Sequence, residues 1–248
     1  MSFPRHAISG AISASLAFLN AVSHLTPSRY YAIRYGHHVR HGIDVYEPRK
    51  IAPFAPTIVF FYGGGWTAGS RCDYRFIGTA LAQHGFRVCI PDYRLHPEAS
   101  LAEIEQDGRD ALKSIAMGYS LGDMFLMGHS AGAHIALRLA STSGSGTISG
   151  VMALAAPMIA GVPSVKTALP PALFLAARND RIVSAENSRK LASGWGRSAL
   201  QIFDKGGHAL LVGALSPVLS WYLPITGLVA EFVNKHVKNT DIRPPERL

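Results

Sequence analysis

Five residues constrain this chain more than any others: Gly128-His129-Ser130-Ala131-Gly132. The apolar run Met124-Phe125-Leu126-Met127 precedes them, and a helix-compatible stretch from Ala133 to Ala140 follows. A strand that turns this abruptly into a helix forces its corner residue into a strained backbone conformation and stands the side chain out over the end of the sheet. Small residues two positions to either side let strand and helix pack that closely, and here both are glycine. The pattern alone arises by chance in a glycine-rich chain, and this one has 24 glycines. Its meaning therefore depends on what else the sequence supplies.

A chain of 248 residues, 48% apolar and only 16% charged, suits one α/β domain whose buried sheet is covered by helices on both faces. The formal net charge of +8 permits attraction to anionic partners but selects none. The densest basic patch, His37, His38, Arg40 and His41, alternates with strand-like residues rather than aromatics. It reads as a solvated edge, not a nucleic-acid surface. Of the two cysteines, Cys89 lies inside the apolar run Val88-Cys89-Ile90 and reads as core packing, whereas Cys72 reads as a loop thiol. With no cysteine-rich spacing and no H-E-x-x-H pattern, no metal site is expected.

Two uncharged stretches bear on targeting. Ala7 to Val22 follows Arg5 and His6 as an export signal would, but Ser9, Gly10, Ser13, Ser15 and Asn20 dilute it. Ala209 to Ala230 is long enough to span a bilayer, yet Pro217 and Pro224 interrupt it. A buried wall followed by a packed C-terminal helix suits that stretch better. The expectation is a cytoplasmic protein, with export or membrane association as the alternatives and the oligomeric state open.

Taken in order, Ile8, Ile12, Leu16 and Leu19 fall at helical spacing, so residues 1–28 are expected to form a helical segment over the active-site side. Tyr31 to Tyr35 and Gly42 to Tyr46 read as two strands. Thr57 to Phe61 is a continuous apolar run, as in a strand buried on both faces, and opens onto Tyr62-Gly63-Gly64-Gly65-Trp66. A helix carrying Phe76, Ile77, Ala80 and Leu81 ends at Gly85; the strand Arg87 to Ile90 runs into Pro91-Asp92-Tyr93-Arg94-Leu95. Ser100 and Glu103 form a capping box for the next helix. Beyond the elbow, Val151 to Ala155, Leu173 to Ala176 and Leu200 to Phe203 are strands, and Ile225 to Val237 is the last helix. Alternation of this kind gives a mostly parallel sheet with function at the carboxyl ends of its strands.

A serine hydroxyl is a poor nucleophile until a base takes its proton, and the base needs a carboxylate to hold the right tautomer. On an open α/β sheet these partners follow the serine in the order acid, then histidine, each just past a later strand. Asp180 and His208 stand at those places. Asp204 and Glu186 are rivals for the acid, but Asp204 is only four residues from His208 and Glu186 falls inside the next helix. His129 and His134 lie too near Ser130 in sequence to serve as base. They suit the core or the lining of the site, so His129 is placed among the substrate-binding candidates. The negative oxygen of a tetrahedral intermediate requires converging amides, and Ala131 with Gly64 and Gly65 of the glycine loop can supply them. Tyr62 is expected to buttress that loop, and Trp66 either to do the same or to contact substrate.

The Tyr62-to-Trp66, Pro91-to-Pro97, Gly128-to-His134 and Gly207-His208 segments, in that order, resemble the α/β-hydrolase superfamily. They are most similar to hormone-sensitive-lipase-type carboxylesterases and the kynurenine formamidase group. The resemblance implies an α/β-hydrolase fold from about Tyr31 onward and hydrolysis by Ser130, Asp180 and His208 with no cofactor. It implies a small-molecule ester substrate, and an apolar site with so little cover suits short-chain or aryl esters; aryl-formamide cleavage and a non-catalytic ligand-binding module are the alternatives. Two departures stand out. Tyr62 replaces the histidine usual before the glycines, and the loop from Pro157 to Pro171 is too short for the cap of many relatives, leaving little or no cap domain.

Overall fold

The computed structural model describes residues 15–119, 122–143, 146–158 and 169–238. Eight strands form one sheet: β1 (Arg29–Arg34), β2 (Gly42–Glu47), β3 (Thr57–Phe61), β4 (Arg87–Pro91), β5 (Met124–His129), β6 (Gly150–Leu154), β7 (Ala172–Ala177) and β8 (Ser198–Phe203). Their order is β1-β2-β4-β3-β5-β6-β7-β8. β2 pairs antiparallel with both β1 and β4, while every pairing from β4 to β8 is parallel. β3, β5, β6 and β7 are buried along their whole length, which explains why their sequences read as unbroken apolar runs.

The helices are α1 (residues 15–23), α2 (Arg75–Ala82, entered through a 3-10 turn at Arg71–Tyr74), α3 (Leu101–Gly118), α4 (Ala131–Thr142), α5 (Ala185–Trp195), α6 (His208–Gly213) and α7 (Ile225–His236). α2 packs against α7, and α3 against α4. Strand alternation separates these pairs onto opposite faces. Phe60 meets Tyr74 at the entry to α2, and Phe125 meets Phe232 of α7 edge-on, whereas Phe61 lies beneath Gly108 of α3. Each fully buried phenylalanine contributes about 1.5–3 kcal/mol, and Phe60, Phe61, Phe125 and Phe174 all have no exposed surface.

Local signals explain the helix ends. Ser100 and Glu103 form the reciprocal capping box that starts α3, and Gly85 takes a left-handed φ of 89° after α2. The expected wall after His208 contains a short helix, α6, that spacing alone did not reveal. Two proline-bounded turns then lead into α7, and among the described residues no helix is long and apolar enough to cross a membrane. Residues 1–14 of the expected N-terminal helix, and most of the 157–171 loop, lie outside the described residues.

Candidate active site

β5 delivers Ser130 to the carboxyl end of the sheet at φ 53°, ψ −122°, a conformation costing about 1–3 kcal/mol in a residue with a Cβ. The surroundings over-determine it. Ser130 N–H donates to Leu154 O on β6 at 2.9 Å, and its own carbonyl accepts from Ala133 at 2.9 Å in the first turn of α4. A Cβ on Gly128 would sit 2.2 Å from Gly132 O, and one on Gly132 would sit 2.0 Å from Phe61 O. No larger residue fits either place, so the two glycines are what let β5, α4 and β3 converge.

His208 opens α6 just past β8, and Asp180 lies in the turn after β7. His208 Nδ1 is 2.8 Å from Asp180 Oδ2. The other carboxylate oxygen accepts from the amides of Ile182 at 2.8 Å and Val183 at 2.9 Å. Burial pushes this carboxyl upward, but the His208 contact and those two amides outweigh it and hold the group below its ordinary range. Asp180 is therefore ionised, fixes the proton on Nδ1 and leaves Nε2 as the nitrogen that can accept one. The rival carboxylates lie elsewhere: Asp204 is exposed against Arg178, and Glu186 against Arg189.

Beyond β3, Gly64 and Gly65 take φ values of 125° and 61°. A Cβ on Gly64 would strike Ala68 O, whereas the Gly64 carbonyl accepts from the amides of Thr67 and Ala68, both at 3.1 Å. That turn occupies the Gly64 carbonyl within the loop itself. Among the described residues, the amides of Gly64, Gly65 and Ala131 donate to no protein acceptor, the last because the first turn of a helix has no intrahelical partner for its N–H groups.

Gly63, Gly64, Gly65, Ser130 and His208 line one cavity of about 540 Å³ and form its polar side. Apolar walls come from Leu16 and Leu19 of α1, Leu210, Val212 and Gly213 of α6, and Leu219. His129 also lines it, 5% exposed. Its Nε2–H donates to the His208 carbonyl at 3.0 Å, and burial with the neighbouring His208 pushes its pKa down to about 3. It is a neutral tether on the loop bearing His208. Trp66, at a φ of 61°, is not part of this lining: its ring stands edge-on to His134, 5.7 Å between centroids. No group of three or more histidine, cysteine or acidic side chains among the described residues could hold a metal ion.

Known proteins carry the same frame. A family model described as BD-FAE matches residues 43–157. An esterase from Pyrobaculum calidifontis superimposes with a TM-score of 0.78 at 19% identity, covering 92% of each chain. The butyrate-bound esterase Est2 of Thermogutta terrifontis gives 0.68 at 18% identity, over 83% of this chain and 94% of that one. The chain has the α/β-hydrolase fold. Kynurenine formamidase of Danio rerio is 32% identical over 111 residues, 44% of this chain and 38% of the fish protein. Isoprenylcysteine alpha-carbonyl methylesterase ICME of Arabidopsis thaliana is 32% identical over 110 residues, 42% and 26% of the two chains. The chain thus aligns with well under half the length of either relative.

One part of this chain departs from what its composition suggests. The basic patch at 37–41 is not simply a solvated edge. Arg40 turns inward, donating to Tyr62 Oη, Gly69 O and Tyr93 O, each at 2.7 Å. Tyr62 in turn donates to Asp92 Oδ1 at 2.7 Å, and Arg71 completes the Asp92 carboxylate. Burial holds the Tyr62 phenol far above its ordinary pKa, so it remains a donor. His41 stacks on Tyr35 and lies 3.3 Å from Asp107. The available signal was positional: Asp92 directly follows a buried strand, and a carboxylate there needs partners.

Proposed function

We propose that the protein is a serine carboxylesterase acting on short-chain or aryl esters. Ser130 Oγ bonds to the ester carbonyl carbon as His208 Nε2 takes its proton, and the carbonyl π electrons move onto oxygen. The amides of Gly64, Gly65 and Ala131 stabilise that oxyanion. Collapse breaks the carbon–alkoxy bond, and His208 returns the proton to the departing alcohol. Water then attacks the acyl-enzyme through the same base, releasing the acid and restoring Ser130. The observation that carries this reading is the shared cavity: a strained serine, a histidine polarised by Asp180 and unpartnered amides line one apolar space.

A fluorophosphonate probe should label the wild-type protein and not Ser130→Ala. An unlabelled wild type, folded by circular dichroism, would reject the nucleophile. The similarity to kynurenine formamidase supports a second reading, cleavage of an N-formyl aryl amine by the same groups. The ratio of kcat/KM for p-nitrophenyl acetate to that for N-formylaniline separates the two.

A further inference from the structure

The apolar half of the cavity has a fixed end, and one residue leaves it open. Gly213, the last residue of α6, lines the cavity without a side chain. A Cβ there would lie 3.5 Å from Leu219 Cδ1 and 3.6 Å from Leu19 Cδ1, ordinary contact distances to two residues that line the same space. Its φ lies outside the left-handed region, so the backbone does not require glycine. The missing side chain instead leaves cavity volume between α1, α6 and Leu219.

The facing wall is held in place. Asn20 of α1 donates from Nδ2 to Cys72 O at 2.8 Å and accepts at Oδ1 from Phe76 N at 3.2 Å, clamping α1 to the start of α2. Leu19, one residue before this clamp, is 6% exposed. Leu16 and Leu19 therefore bound the cavity as a standing wall rather than a door.

Resting on the esterase reading above, we propose that Gly213, with Leu19 and Leu219, is the specificity-determining stop for an unbranched hydrocarbon chain on the acyl side of the ester. The chemistry favours that side. The alcohol must leave before water attacks, whereas the acyl chain stays bonded to Ser130 through both steps and gains from walls that do not move. Each methylene seated against such walls raises kcat/KM by up to about fourfold until the space is filled.

The test is kcat/KM for p-nitrophenyl acetate, butyrate, hexanoate and octanoate with wild type, Gly213→Ala, Gly213→Val and Leu219→Ala. The octanoate-to-acetate ratio should fall at least tenfold in Gly213→Val and less in Gly213→Ala, and rise severalfold in Leu219→Ala. Ratios that stay constant across the variants would overturn the stop while leaving the esterase reading intact. A parallel series of ethyl to octyl acetates reads the alcohol side, and chain-length loss in Gly213→Val appearing there instead would overturn the acyl assignment. A wild type inactive on every ester and unlabelled by fluorophosphonate would remove the esterase reading and the stop together.

Discussion

His208 depends on two partners that act differently. Asp180 fixes its proton through a 2.8 Å contact, and His129 holds its backbone through the carbonyl. Replacing Asp180 by asparagine keeps the shape but allows the opposite tautomer, which presents N–H instead of a lone pair to Ser130. The expected outcome is a fall in kcat on the order of 10³–10⁴ with KM changed far less, measured on p-nitrophenyl acetate. A loss under tenfold would assign the acid role elsewhere. Both residues could be read from the sequence as a pair, because each follows a recognisable strand. The tether from His129 could not, since it runs from a side chain to a carbonyl 79 positions away.

At the scale of elements, the junction of β3, β5 and α4 is the least forgiving part of the fold. Gly132 lies against the carbonyls of Phe61 and Tyr62, so a valine there must push α4 off the sheet. Overpacking of this kind costs about 1–3 kcal/mol and occasionally more. Gly132→Val should lower the urea midpoint by the corresponding amount and abolish fluorophosphonate labelling. Unchanged stability would show that the junction is looser than its distances imply. The strands and most helices were legible because continuous burial leaves an apolar run and a capping box leaves a Ser-x-x-Glu signature. α6 left no such mark. It is only six residues long, starts at His208 itself and has no side-chain cap, so its sequence resembles any apolar connection.

For the whole molecule, burial of neutral imidazole links folding to acidity. His129 is held near a pKa of about 3 and His134 is also lowered, in both cases chiefly by burial. The unfolded chain binds protons on these rings below their ordinary value of 6.5, whereas the folded chain resists them. Stability is therefore full above that value and lost as pH falls toward 3, at up to about 1.4 kcal/mol per pH unit for each fully excluded ring. Urea midpoints at pH 7, 6 and 5 should decline, and His129→Gln should flatten the decline. An equal slope in the variant would place the acid sensitivity on other groups.

The brace under the glycine loop changes what counts as the smallest working unit. Arg40 sits between β1 and β2, outside the stretch 43–157 that matches BD-FAE, while Asp180 and His208 lie beyond its other end. A protein trimmed to start at β2 would retain Ser130, Asp180 and His208, but the guanidinium gripping Tyr62, Gly69 and Tyr93 would be gone. The recognisable segment is thus narrower on both sides than the set of residues that meet at the cavity, and grafting it alone onto another scaffold would carry Ser130 across without Asp180, His208 or the Arg40 brace.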